Sequence, residues 1–246
     1  MTQMNNQPIP TGLVPLDDAL SGGLRPGTLT VIAGRPGMGA TSLALQIGER
    51  IAGTLRKKGW LYTGGSVELN PSDILGNLLR YRGSCIPLPF IICDSPHWSA
   101  AMIERALAGK PVSCVVIDEL LRLAPNRPER YDCPSAAYPA MAQELKHLAR
   151  VLHVPVLCNV RLGRFVEERE DPHPTLADLT YSCPLGEAVD TVLLLYREGY
   201  YCHDGFSDRQ TPSDRAEITV TRRCGKTVII PCRWDVRYLR FEESLK

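Results

Sequence analysis

Thr30-Val31-Ile32-Ala33-Gly34-Arg35-Pro36-Gly37-Met38-Gly39-Ala40-Thr41 is an apolar run that enters a glycine-rich turn and leads into a helical pattern beginning near Ser42. This is the layout of a phosphate-binding P-loop. In the pattern G-x-x-x-x-G-K-[ST], the glycines let backbone N–H groups converge on phosphate oxygens, the lysine neutralises the outer phosphates and the hydroxyl holds Mg²⁺. Gly34, Gly39 and Thr41 stand in their places, and Ala40 stands where the pattern has lysine. A glycine-rich turn without a nucleotide is the competing reading. The β-branched run Leu29 to Ala33 before the turn, and the helical face Leu43, Ala44, Gln46, Ile47 and Ile51 after it, favour the P-loop. Gly34, Arg35, Gly37, Met38, Gly39, Ala40 and Thr41 are therefore the candidate nucleotide-binding positions, with normal ATP turnover not expected.

Further along, Val112-Ser113-Cys114-Val115-Val116-Ile117-Asp118-Glu119 is an apolar run that ends in two carboxylates. A buried strand of this kind delivers Asp118 to the sheet edge, where with Thr41 it can hold Mg²⁺ and its water. An acid after a strand is also a common helix cap, and the upstream P-loop tips the balance toward the metal. Glu68, in Ser66-Val67-Glu68-Leu69, follows a second strand pattern over Trp60 to Thr63. That is where open α/β sheets place ligands, although a solvated loop glutamate reads the same way.

The remaining pattern alternates strands and helices. A short helix is expected around Leu16 to Leu20, a helix from Asn70 to Arg80, a strand over Pro89 to Cys93 and a helix over Ala100 to Ala108. A proline-rich loop over Pro125 to Pro139 precedes an amphipathic helix over Ala140 to Leu152, and strands follow at Val154 to Cys158 and Asp190 to Tyr196. Glu167 to Pro174 reads as a mobile surface loop and Ser207 to Asp214 as a linker; Ala216 to Thr221 and Thr227 to Cys232 read as a hairpin. This predicts an α/β fold with a mostly parallel sheet finished by antiparallel strands. Residues 1–10 are expected to be a flexible lead-in and 11–246 a single domain.

The 246 residues are 44% apolar and 22% charged with a net charge of +1, which is enough to bury a sizeable core and neutral on nucleic acid. Nine scattered cysteines with no C-x-x-C pair predict reduced core residues of a cytoplasmic protein, without zinc or disulfides. No long apolar span is present, so no membrane partner is expected.

The order of these motifs resembles the RecA-like motor domain of DnaB-type replicative DNA helicases over Thr11 to Phe241. Thr11-Gly12, Leu16-Asp17 and Ser21-Gly22-Gly23-Leu24 look like that family's opening, and Arg35-Pro36-Gly37-Met38-Gly39 looks like its P-loop. Ser66-Val67-Glu68-Leu69, Leu145-Lys146-His147-Leu148-Ala149, Val154-Pro155-Val156, Asp190 and Tyr196-Arg197 also resemble family motifs. The resemblance implies a RecA-like P-loop NTPase fold with ATP and Mg²⁺ as cofactors. It gives Glu68 the role of activating the attacking water, and Arg223 that of an arginine finger donated in trans from Thr221-Arg222-Arg223. It puts Arg161 where the family has a γ-phosphate-sensing Gln, and Asp178, Thr180 and Ser182 in a loop that touches single-stranded DNA.

Departures from the family fall on chemistry. Besides Ala40 and Arg161, the family's D-L-R-E-S-G is here Asp178-Leu179-Thr180-Tyr181-Ser182-Cys183, without its Arg and Gly, and Thr221 replaces a Lys. Family members also carry an N-terminal domain and linker helix, and little precedes Ile9. Two functions follow. One is a compact ATP-dependent helicase motor in DNA replication, assembled as a homo-oligomeric ring with Arg161 or Arg222 substituting for the lysine. The other is a catalytically inactive homologue that loads, regulates or inhibits an active replicative helicase by hetero-assembly. A RadA-like recombination ATPase is the third reading. An Arg161 that points into an open nucleotide site favours the motor; a collapsed site favours the binding protein.

Overall fold

The computed structural model describes residues 7–62, 90–93, 95–201, 214–223 and 227–244. Glu68, the expected helix Asn70 to Arg80 and most of the expected linker from Ser207 lie outside them. Among the described residues, nine strands form one sheet in the order β3-β2-β4-β5-β1-β6-β7-β8-β9. Here β1 is Leu29–Gly34, β2 Lys58–Tyr62, β3 Phe90–Cys93, β4 Val112–Ile117, β5 Val156–Arg161 and β6 Thr191–Arg197. Strands β7 (Arg215–Arg222), β8 (Thr227–Asp235) and β9 (Arg240–Glu243) complete it. The first six pair in parallel and the last three add antiparallel, as the alternating pattern predicts.

The central strands are buried at nearly every residue because both faces of the sheet are covered, and alternation distributes their side chains between two cores. Val31, Ala33, Val115, Ile117, Cys158 and Leu194 pack on one face with α3 (Ala100–Leu107) and α4 (Tyr138–Leu152). Ile32, Val116, Leu157 and Leu193 pack on the other with α1 (Val14–Ala19), α2 (Ala40–Leu55) and the inner side of the antiparallel strands. Cys114, Cys158, Cys183 and Cys232 are buried and unbridged, whereas Cys133 is exposed.

Several boundaries differ from expectation. Strand β5 does not stop at Cys158: it continues through the polar Asn159 to Arg161, because its ladder with β1 runs to the pair Gly34 and Arg161. Helix α4 begins at Tyr138, with Pro139 in its first turn, where a missing N–H costs no intrahelical bond. Ile9 does not belong to a loose lead-in. It is buried and bridges Leu24 through backbone bonds in both directions.

The segment Glu167 to Pro174, expected to be a mobile surface loop, is fastened at three points. Glu167 accepts from Arg35 Nε at 2.8 Å, Arg169 pairs with Asp178 and His173 stacks on Tyr196 at 3.7 Å between ring centroids. No described helix is long and apolar enough to cross a membrane.

Candidate nucleotide site

Parallel strands bring their C-terminal ends to one edge, and the order β4-β5-β1-β6 sets four chemistry-bearing ends side by side. Strand β4 leads directly into Asp118 and Glu119, β5 ends at Arg161, β1 in the P-loop at Gly34 and β6 at Arg197. Together they enclose a cavity of 520 Å³, within the roughly 300–1,000 Å³ of small-molecule sites. Gly34, Arg35, Gly37, Gly39, Ala40, Thr41 and Arg161 all line it.

The P-loop wraps onto the N-terminus of the 16-residue α2, whose first N–H groups have no intrahelical acceptor and favour anions. Two of its glycines are required by conformation and by packing. Gly37 has φ +86°, and a Cβ there would lie 2.9 Å from Tyr200; Gly39 has φ +95°, and a Cβ would lie 2.8 Å from the Trp234 ring. Trp234 and Phe241, from β8 and β9, thus form the back wall of the loop, meeting edge to face at 5.1 Å. Gln46 locks that wall to α2: its Nε2 donates to the Phe241 carbonyl at 2.8 Å and its Oε1 accepts the Phe241 N–H at 3.0 Å. Met38, a candidate binding residue, is corrected by its surroundings. Its side chain is buried in the core beside Gly34, so that only its backbone belongs to the loop.

On the cavity floor Thr41 Oγ1 donates to Asp118 Oδ1 at 2.7 Å, and Asn159 Nδ2 donates to the same oxygen at 2.7 Å. Burial pushes the Asp118 carboxyl above its ordinary range, with these two hydrogen bonds opposing. Its neighbour Glu119 is also raised by burial and opposed by the Arg161 guanidinium, whose Nε lies 2.6 Å from Glu119 Oε2. Glu119 has φ +85°, a strained conformation for a non-glycine residue. Asn159 Oδ1 and Glu119 Oε1 are buried without a hydrogen-bond partner among the described residues. An all-oxygen set of hydroxyl, carboxylate and orphaned polar atoms at the foot of an anion-binding helix fits hydrated Mg²⁺ beside a phosphate. Thr41 and Asp118 are the residues that could hold such an ion.

Arg35 donates to Glu167 and, at 2.7 Å, to the Leu162 carbonyl. Arg197 donates to the Gly37 carbonyl at 2.6 Å and lies 4.0 Å over the Trp234 ring, and burial lowers it to about 10. Arg223 does not reach its own P-loop: it is exposed, pairs with Glu187 at 3.3 Å and lines a separate cavity. Arg222 lines that same second cavity and donates to Ser21 Oγ at 2.9 Å, which removes it as a lysine substitute in its own chain. Asp178, expected in a DNA-contacting loop, is buried in the first turn of α5 (Leu176–Ser182), where it completes a capping box with the N-cap Thr175. It accepts from the Thr175 N–H and hydroxyl and pairs with Arg169, so its carboxylate is fully engaged in structure. Thr180 is exposed on the same helix and bonds to the Leu176 carbonyl, and Ser182 Oγ donates to the Asp178 carbonyl while accepting the Gly163 N–H.

Sequence reading missed Asn159, Glu119 as a partner of Arg161, and Arg197. Asn159 was visible as the one polar residue in Val156-Leu157-Cys158-Asn159-Val160, and Arg197 ends a parallel strand just as Asp118 does. The aromatic wall carried no local signal, because Trp234 lies nearly two hundred positions from Gly39.

Residues 8–84 and 65–243 match the family described as DnaB-like helicase C terminal domain. The chain is 28% identical over 252 residues to a probable replicative DNA helicase of Trieres chinensis, covering 91% of this chain and 55% of that protein. It is also 28% identical over 264 residues to the replicative DNA helicase DnaB of Leifsonia xyli subsp. xyli, covering 96% and 56%. The chain thus spans about half the length of the curated relatives it matches. Among solved structures it is similar to that of a DnaB-like replicative helicase, with a TM-score of 0.80, 24% identity and coverage of 98% of this chain and 63% of that one. A solved ATPase domain aligns with a TM-score of 0.81, 24% identity and coverage of 99% and 94%. These likenesses show the fold, that of a RecA-like ATPase domain.

Proposed function

The chain belongs to the family of DnaB-like helicase C-terminal domains, and from that premise we propose that it binds ATP and Mg²⁺ as a homologue of the DNA helicase motor in replication, with hydrolysis slowed by Ala40. The observation that carries this reading is the open cavity whose floor keeps Thr41, Asp118 and Asn159 hydrogen-bonded together. Burying a carboxylate costs several kcal/mol, to order of magnitude, unless a cation or polar ligand compensates. Asp118 is held at that cost in the place where a Mg²⁺–nucleotide would offset it.

In this function Gly37, Gly39 and the first turn of α2 bind phosphate through backbone N–H groups, while Thr41 and Asp118 hold the metal. Bound Mg²⁺ supplies charge neutralisation on the phosphates. Glu68, by its resemblance, orients the attacking water. Arg223, exposed and remote from its own P-loop, serves a neighbouring subunit, so the proposal includes a homo-oligomer, with single-stranded DNA running past the exposed Thr180 face of α5. The reading as a regulator of an active helicase by hetero-assembly draws on Ala40, Thr180 and Thr221, each of which lacks a charge expected of a motor.

The test is titration with a fluorescent ATP analogue and a phosphate-release assay, with and without single-stranded DNA, on the wild type and Glu68→Gln. DNA-stimulated release lost in Glu68→Gln supports the motor. Binding without release moves the function to regulation, and no binding overturns the nucleotide site.

A further inference from the structure

Loss of the P-loop lysine does not leave the cavity short of cations, since Arg35, Arg122, Arg161 and Arg197 all line it. Arg35 is drawn aside by Glu167 and the Leu162 carbonyl, and Arg197 is seated on Trp234 and the Gly37 carbonyl. Arg161 is placed differently. Its Cα pairs in register with Gly34, the first residue of the loop, so its backbone is fixed beside the phosphate cradle. Its side chain is 42% exposed and pairs with Glu119 just past the neighbouring β4, a residue that is 7% exposed, backbone-strained and satisfied on one oxygen, with Oε1 orphaned among the described residues. Glu119 follows directly on Asp118, so the ion pair spans the gap between the metal-holding side of the cavity and the P-loop.

We propose that Arg161 is the phosphate-binding cation that replaces the lysine absent at Ala40, and that Glu119 holds its guanidinium beside the loop until a triphosphate takes it over. The inference rests on the nucleotide-site reading above. A guanidinium fork matches phosphate as well as carboxylate, and a polyphosphate offers more charge and more acceptor oxygens than one glutamate, so exchange favours the nucleotide. Holding the cation on Glu119 also keeps a buried carboxylate compensated when no nucleotide is present.

The two residues then have opposite effects on binding, which a merely structural ion pair would not produce. The full chain is titrated with fluorescent ATP, ADP and AMP analogues, and melting temperature is recorded without nucleotide. Arg161→Gln is expected to weaken ATP about tenfold or more while AMP changes less than about twofold, the size of one or two charged hydrogen bonds. Glu119→Gln is expected to tighten ATP by about threefold or more, since no carboxylate competes. The double variant Arg161→Gln/Glu119→Gln leaves no unpaired charge to unfold the protein, and it is expected to bind ATP as weakly as Arg161→Gln. Unchanged ATP-to-AMP preference in Arg161→Gln and in the double variant, with only the melting temperatures shifted, overturns the inference and leaves the nucleotide site standing. A wild type that binds none of the three overturns both.

Discussion

At position 40 a methyl group stands where a lysine ammonium would face the outer phosphates. A unit charge about 4 Å from a phosphate is worth on the order of 4 kcal/mol at an effective dielectric near 20, or roughly a thousandfold in rate if realised in the transition state. Because Arg161 is proposed to supply part of that charge, Ala40→Lys is expected to raise phosphate release by less than these roughly three orders of magnitude, and an unchanged rate in a steady-state assay shows that another residue limits turnover. One residue earlier the constraint is steric. Gly39→Ala would need a side chain at φ +95° with its Cβ 2.8 Å from Trp234, at a cost of about 1–3 kcal/mol of stability. A melting temperature unchanged by Gly39→Ala would remove the wall assigned to Trp234.

Helix α5 shows how an element can carry a family motif and use it for its own architecture. Its Asp178 closes a capping box with Thr175 and holds Arg169. Asp178→Ala is expected to cost about 2–4 kcal/mol, combining a lost cap with an orphaned guanidinium partner. Single-stranded DNA affinity of the folded fraction should stay unchanged, and a specific loss of DNA binding at constant melting temperature would return Asp178 to the DNA interface. The β8–β9 pair has a pH dependence of definite sign. Glu242 is held below the ordinary carboxylate range by hydrogen bonds from Arg233 and Arg240. A lowered folded-state value means that this stabilisation is present above the ordinary pKa of 4.5 and is lost as pH falls through the folded value. Glu242→Gln should lower the melting temperature at neutral pH and flatten its decline on acidification, and parallel curves for the two proteins would exclude the contribution.

Over the whole molecule, the sheet is tied at the opposite end from the nucleotide by Asp190. It accepts the Leu29 N–H at 2.7 Å and pairs with Lys146 of α4, which also donates to the Gly27 carbonyl at 2.7 Å. Lys146→Met strands a half-buried carboxylate between β1 and β6, and a loss of about 3 kcal/mol is expected in denaturant unfolding; a change under about 1 kcal/mol would make the tie dispensable. How much of this was legible follows from range. Strands buried on both faces, Leu29 to Ala33 and Val112 to Ile117, show as runs that are apolar but for Thr30 and Ser113, and the P-loop glycines and Asp118 show as local motifs. What lay hidden depends on distant partners. Arg35 fastens Glu167, Tyr196 stacks on His173, Glu119 meets Arg161 and β9 turns Phe241 onto Gln46, and no short window along the chain contains both members of any of these pairs. The last of them bears on when the site matures. Residues 34–41 precede by about two hundred positions the wall of Trp234 and Phe241 that holds Gly39 in its left-handed conformation. Closing contacts of such separation is slow, so the cradle takes its shape only once β8 and β9 have docked on the earlier strands.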